Sequence, residues 1–264
     1  MKKILFIICF ILLFFLASCN VVRTSFRYKN SEKYSVGEGT VDATKVKKIK
    51  IEWAGTLAYI TTYDGENIHF YEEIDEGVED KYRLHYYHDG DTLYIEPCES
   101  MMFPQFNFKT KVLHFELPNT LTEDDIDSFD LDLVSTKGEI SGVKAKNIDI
   151  DTVSGSLVLS NLKGDNIDID AVSGDISITG MDGDKIDIDA VSGNISFDTI
   201  SGDVDCETVS GEINFYFYET EGFNIKFNTT SGNIENDFDS LVYGDNQVKF
   251  DINTMSGNIK IHKK

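Results

Sequence analysis

Seven stretches of this chain spell nearly the same seven letters: FDLDLVS from Phe129, IDIDTVS from Ile148, IDIDAVS from Ile167 and Ile186, VDCETVS from Val204, IKFNTTS from Ile225 and FDINTMS from Phe250. Their spacings are 19, 19, 19, 18, 21 and 25 residues. Self-similarity at a fixed short period is the signature of a stacked repeat, in which each unit buries its apolar face only against its neighbours. Within a unit the apolar and acidic letters alternate with period two, which excludes helix and predicts a strand with one face buried. A Val then breaks the alternation and Ser follows, with Gly after six of the seven serines. Gly permits positive φ, so Ser-Gly marks a corner, and a second strand begins after it, as in DISIT from Asp175. A weaker corner recurs at Leu162-Lys163-Gly164, Met181-Asp182-Gly183 and Ile200-Ser201-Gly202. The expected fold is therefore all-β: a parallel β-solenoid of about seven turns of 18–25 residues, with two strands and two corners per turn.

Stacking in register predicts that Phe129, Ile148, Ile167, Ile186, Val204, Ile225 and Phe250 form one interior column in chain order, and that Leu131, Ile150, Ile169, Ile188, Cys206, Phe227 and Ile252 form the next. Each buried Ile or Phe contributes roughly 1.5–3 kcal/mol. The corner serines are expected to form either a hydroxyl ladder or simple turn chemistry. Residues 41–125 are also strand-rich but lack the period, as in KIKIEWAG from Lys48 and KVLHFELP from Lys111. They read as β structure continuous with the solenoid and capping its first rung, since an open sheet end invites edge pairing.

Lys2 and Lys3 precede an apolar run from Ile4 to Leu16 that closes with Leu16-Ala17-Ser18-Cys19. The run is the apolar region of a secretion signal and is short for a membrane span. Leu-Ala-Ser-Cys resembles a bacterial lipobox, which implies that Cys19 carries lipid and tethers the mature chain to the outer side of the cell membrane. The chain thus divides into a signal at 1–18, a polar tether at 19–40, a β-rich N-terminal part at 41–125 and the repeat solenoid at 126–264. With Cys9 in the signal and Cys19 lipidated, Cys98 and Cys206 remain, and both are expected as free thiols.

The strand ending Phe115-Glu116-Leu117-Pro118 and the reiterated Val-Ser-Gly-x-Ile units are similar to the putative-adhesin β-strand-repeat family of bacterial envelope proteins, over about residues 41–264. The resemblance implies a parallel β-solenoid on an envelope or surface protein, and it brings no catalytic residues. Lys226, in an otherwise acidic column, and the two long final intervals depart from the repeat.

The chain has 24 basic and 46 acidic residues and a net charge of −22, so nucleic acid is excluded as a partner. Much of the acid is organised in outward columns, and stacked carboxylates repel by about 0.9 kcal/mol per neighbouring pair in unscreened water. Asp149, Asp151, Asp168, Asp170, Asp187 and Asp189 form a grid that reads either as a Ca²⁺ ladder or as a solvated acidic face. The monotony of these columns, with no Arg in the central strands, argues against acid–base catalysis on glycans, and the five histidines show no zinc spacing. No enzyme activity and no cofactor other than possible Ca²⁺ is expected. The segment Met101-Met102-Phe103-Pro104-Gln105-Phe106-Asn107-Phe108 has the composition of an adaptable contact surface, and Met102, Phe103, Phe106 and Phe108 are the candidate partner contacts. The readings left open are a lipid-anchored adhesion or envelope-scaffolding module, meeting an envelope or host-surface protein or glycan, a cation-dependent surface module, a regulatory accessory of a membrane partner and, last, a glycan-active enzyme.

Overall fold

The computed structural model describes residues 27–100, 108–245 and 248–264. Among these residues there is no α-helix. All the strands join one continuous sheet, interrupted by three single 3₁₀ turns at Ser31–Lys33, Ala43–Lys45 and Asp80–Tyr82. The chain is all-β and winds as stacked parallel rungs, as its alternation requires. In the strand Asn147–Ser154, Ile148 and Ile150 are buried while Asp149 and Asp151 face out. Backbone pairing places Ile148 between Phe129 and Ile167, and Asp149 between Asp130 and Asp168, with every side chain kept on its predicted face.

The N-terminal part joins the same stack. The strand Lys48–Trp53 pairs in parallel with Ser128–Leu133, so that Ile49 meets Phe129 and Ile51 meets Leu131. On its other side it pairs in parallel with Thr92–Glu96. On the second face Leu57–Tyr63 lies between Lys137–Ser141 and Lys111–Pro118. Beyond these the pairing turns antiparallel, through His85–Asp89 and Asn67–Ile74.

The far end departs from chain order. Val204 pairs with Phe250, not with Ile225, and Phe250 in turn pairs with Ile225. The last segment, Val248–Lys263, is therefore inserted between Ile195–Phe217 and the earlier strand Phe223–Thr229, and the predicted sequential column is corrected to Val204, Phe250, Ile225. Aromatic packing explains the order. The Phe250 ring lies 4.8 Å from Phe215 and 5.8 Å from Phe197, while Phe217 and Phe223 stack at 4.5 Å, so Phe250 closes a ring cluster that Ile225 would leave partly empty.

The corners also differ in detail from their letters. The Val that breaks the alternation turns outward, with Val153 51% exposed. The serine hydroxyls bond mostly to backbone: Ser173 Oγ donates to the Val153 carbonyl and Ser192 Oγ to that of Val172, whereas only Ser154 and Ser135 bond hydroxyl to hydroxyl among those described. The second corner is set by left-handed residues at Gly142, Asn161, Gly180 and Thr199, each 19 residues from the last, and the last three immediately precede the Leu-Lys-Gly echo and its two counterparts. Cys206 and Cys98 are both buried, and neither is in a disulfide among the described residues.

Candidate functional site

Because the strands stack in register, with one shift between Asp182 and Lys185 that restores the pairing before Ile186, each position of predicted outward parity becomes a row running across the rungs. One row reads Lys50, Asp130, Asp149, Asp168, Asp187, Asp205, Asp251, Lys226. A lysine ends it on each side: Lys50 Nζ is 2.6 Å from Asp130 and Lys226 Nζ is 2.5 Å from Asp251. The isolated Lys226 of the sequence is thus the terminal counter-charge of the ladder. The second row reads Glu52, Asp132, Asp151, Asp170, Asp189, Glu207, and passes into neutral Asn253 and Asn228, whose amides hydrogen-bond at 2.9 Å. Ile51 lies opposite Ile95, which sets Glu96 beside Glu52 and extends this row by one more carboxyl.

Like charge held at rung spacing, partly shielded from water, makes ionisation costly. Burial, then the charges of Asp149, Asp132 and Asp170, push Asp151 up to about 7. Burial and the Asp168 and Asp130 charges raise Asp149. Burial also raises Asp132, against a hydrogen bond from Asp151 that favours its charged form, and Asp151 is the partner that holds the proton. Glu96, 4% exposed, is pushed up to about 9 by burial, Glu52 and Asp132. Stacking does bring Asp149, Asp151, Asp168, Asp170, Asp187 and Asp189 together as the sequence predicts. Among the described residues, however, no group of three or more acidic, His or Cys side chains is arranged to hold a metal ion. Carboxyls crowded enough to take up protons relieve their own repulsion without a cation.

A pH dependence follows. The folded chain holds these protons more tightly than the unfolded chain does, so the penalty is fully present above about 9 and is relieved as pH falls through 9 and 7 toward the ordinary values of 4.5 and 3.8. For Glu96 the cost at neutral pH is on the order of 3 kcal/mol. The melting temperature should rise on acidification from mildly alkaline to mildly acidic solution, and Asp151→Asn should raise it in alkaline solution while flattening the lower part of that rise. A melting temperature that instead fell steadily with acidification would remove the ladder as its cause.

Beside Glu52 and Glu96 a cleft of about 340 Å³ opens between the first rungs and the residues around Tyr34. The cleft is not legible in the letters, because KIKIEWAG and TLYIEP carry the alternation but not the Val-Ser-Gly corner that reveals the register. The other predicted positions fare differently. Cys19, Met102, Phe103 and Phe106 lie outside the described residues, and Phe108 is half-buried with its ring 5.5 Å from the Lys111 ammonium. The histidines are dispersed into separate contacts, His69 with Glu116 and His114 with Glu73 among them.

A single sheet wound into in-register parallel rungs, with one acidic outer face, defines the structural class. The chain belongs to the Toastrack DUF4097 family, whose model matches residues 46–264. No curated protein matches it. Solved structures similar to it include a putative adhesin from Bacteroides fragilis, at 13% identity over 89% of this chain and 100% of that one with a TM-score of 0.49. A putative lipid binding protein from Parabacteroides distasonis has 15% identity over 87% of this chain and 97% of that one, with a TM-score of 0.47. A putative adhesin from Parabacteroides merdae has 13% identity over 90% and 100%, with a TM-score of 0.44.

Proposed function

We propose that this protein is a lipid-anchored, extracytoplasmic binding module of the bacterial envelope, which presents its acidic rows outward from the membrane and catalyses no reaction. The observation that carries the reading is the register itself: two rows of carboxylates held at constant spacing on a stacked backbone, one of them ended by lysines on both sides. Such a face is a rigid, repetitive surface suited to recognition by many weak polar contacts, and strong negative charge keeps it soluble and away from anionic lipid. Catalysis on glycans needs two carboxyls with contrasting roles around a scissile bond. The repeated aspartates offer the same side chain at each rung and differ only in burial, from exposed Asp149 and Asp151 to Asp187 and Asp189, which the fold buries against the outward placement expected of them. The anchor is Cys19, at the end of the apolar run.

The test is fractionation. Wild-type protein should label with fatty acid, stay with membranes and be shaved from intact or outer-permeabilised cells by protease. Cys19→Ser should take up no lipid and leave the membrane fraction. Full membrane retention of Cys19→Ser, or protection of the wild type from external protease, would end the assignment.

A further inference from the structure

We propose that the cleft at the N-terminal end of the acidic rows binds the ammonium head of a small organic cation, with Glu96 as its charge partner and Tyr34 and Tyr94 as its aromatic walls. The site is concave and separate from the open ladder, and its chemistry would hold wherever the chain resides.

Glu96 is 4% exposed, it lines the cleft, and its Oε2 has no hydrogen-bond partner among the described residues. An unpaired buried polar oxygen is costly to a fold, so one that persists beside a cavity is a candidate ligand contact. Its neighbours deepen the deficit. Glu52 and Asp132 line the same cleft from the next two strands, whereas Lys50 is already held by Asp130 at 2.6 Å. Arg27 and Lys29 also line it, but neither forms an ion pair among the described residues, and the Glu96 oxygen stays unanswered. At its most buried point the cleft thus holds a carboxyl with no described cation beside it.

Geometry narrows what can supply that charge. A Ca²⁺ ion needs six to eight oxygens, and no group of three or more acidic, His or Cys side chains among the described residues is arranged to hold a metal. An organic ammonium asks for less: one carboxylate and the face of an aromatic ring. Tyr34 supplies the face, its ring centre 4.5 Å from that of Tyr28 and 6.5 Å from that of Tyr94. At about 340 Å³ the cleft falls in the range of small-molecule sites.

The protonation state gives the proposal a signature. In the free protein burial, Glu52 and Asp132 push Glu96 up to about 9, so at neutral pH its carboxyl is protonated. An arriving ammonium would favour the carboxylate, and the displaced proton would pass to solvent. Binding should therefore release a proton at neutral pH and tighten in mildly alkaline solution.

Calorimetric titration of the detergent-solubilised full-length protein tests this, with choline as probe because its own charge does not titrate. The uncharged isostere 3,3-dimethylbutan-1-ol is the control, and paired buffers of different ionisation enthalpy count the protons. Saturable choline binding with proton release is expected, with little or no binding of the isostere. Glu96→Gln should weaken binding roughly tenfold or more and abolish the proton release. Its melting temperature should be unchanged or higher, since the amide replaces a neutral acid. Tyr34→Leu, which leaves every carboxyl in place, should weaken choline severalfold. No saturable heat with choline, equal binding of the isostere, or unchanged affinity in both variants would overturn the proposal. None of these outcomes bears on where Cys19 places the chain.

Discussion

Lys111→Met should destabilise the fold by about 3–5 kcal/mol, the largest loss expected from any single change of charge in the described residues. Lys111 opens the strand Lys111–Pro118 and points inward, and it and Glu72 are each 1% exposed at their side chains. Its ammonium donates to Glu72 Oε2 at 2.8 Å and to the Tyr82 carbonyl at 2.9 Å, and lies 4.7 Å from the Trp53 ring. Burial pulls the Lys111 pKa down while the Glu72 charge pushes it back up. The other Glu72 oxygen accepts from the Leu84 amide at 2.9 Å and approaches Arg83 Nε at 3.3 Å. One buried ammonium thus ties four segments together where the repeating rungs meet the non-repeating strands. Methionine keeps the length of the stem but leaves the Glu72 charge buried with Arg83 as its only described cation, and an unpaired buried charge costs far more than the pair contributes. Glu72→Leu should cost a similar amount, because the Leu84 amide then loses its acceptor. The double variant should lose much less than the two losses added together, and urea melts of the four proteins measure that coupling. By contrast, Lys45→Met removes an exposed partner of Asp42 and should leave the urea melt close to that of the wild type. Additive losses at Lys111 and Glu72 would show that packing around Trp53, and not the ion pair, holds the junction.

How far the letters reach can be judged at particular residues. Ile148, Ile150, Asp149 and Asp151 take the faces their alternation predicts, because parity within a strand is local and each unit is copied by its neighbours. The exchange of the last two units was not legible. FDINTMS and IKFNTTS both fit beside VDCETVS by letter, and the choice rests on where Phe250 finds Phe197, Phe215 and Phe217, which are 53, 35 and 33 residues back along the chain. Lys226 could be seen as an exception to the acidic column. That it ends the column depends on the exchange. The cleft was hidden for a related reason: Glu52 and Glu96 continue an outer row through strands that share the alternation but lack the Ser-Gly corner, so no period assigns them a rung. Their raised pKa values arise from strands that come next to them only after folding, and Glu96 reads in sequence as one more surface acid.

Gly174→Ala should cost about 3 kcal/mol or more, even though it adds a single methyl group. Gly174 has φ of +129°, which an alanine adopts only with strain of about 1–3 kcal/mol. A Cβ there would also sit 2.1 Å from the Gly155 carbonyl oxygen of the preceding rung, well inside contact distance. The same relation repeats along the corner, with the Gly193 position 2.0 Å from the Gly174 oxygen and the Gly211 position 2.0 Å from that of Gly193. Backbone bonds fix the rung spacing at this point, as when the Gly155 amide donates to the Ser173 carbonyl at 3.2 Å. A methyl group can be admitted only by prying two rungs apart, and overpacking of this kind costs a further 1–3 kcal/mol or so. Gly90→Ala separates the two effects. Gly90 also has positive φ, +64°, but nothing lies within 4 Å of its would-be Cβ, so only the conformational strain, about 1 kcal/mol, should appear. Urea denaturation of the two variants reads the difference directly. Because alanine strain at +129° already exceeds that at +64° by up to about 2 kcal/mol, a gap in favour of Gly90→Ala larger than that would identify the corner glycines as the element that lets successive rungs close to hydrogen-bonding distance, and would explain why Ser-Gly recurs where the alternation breaks. Equal losses would mean that backbone conformation alone selects glycine there, and that the side-chain columns set the register by themselves.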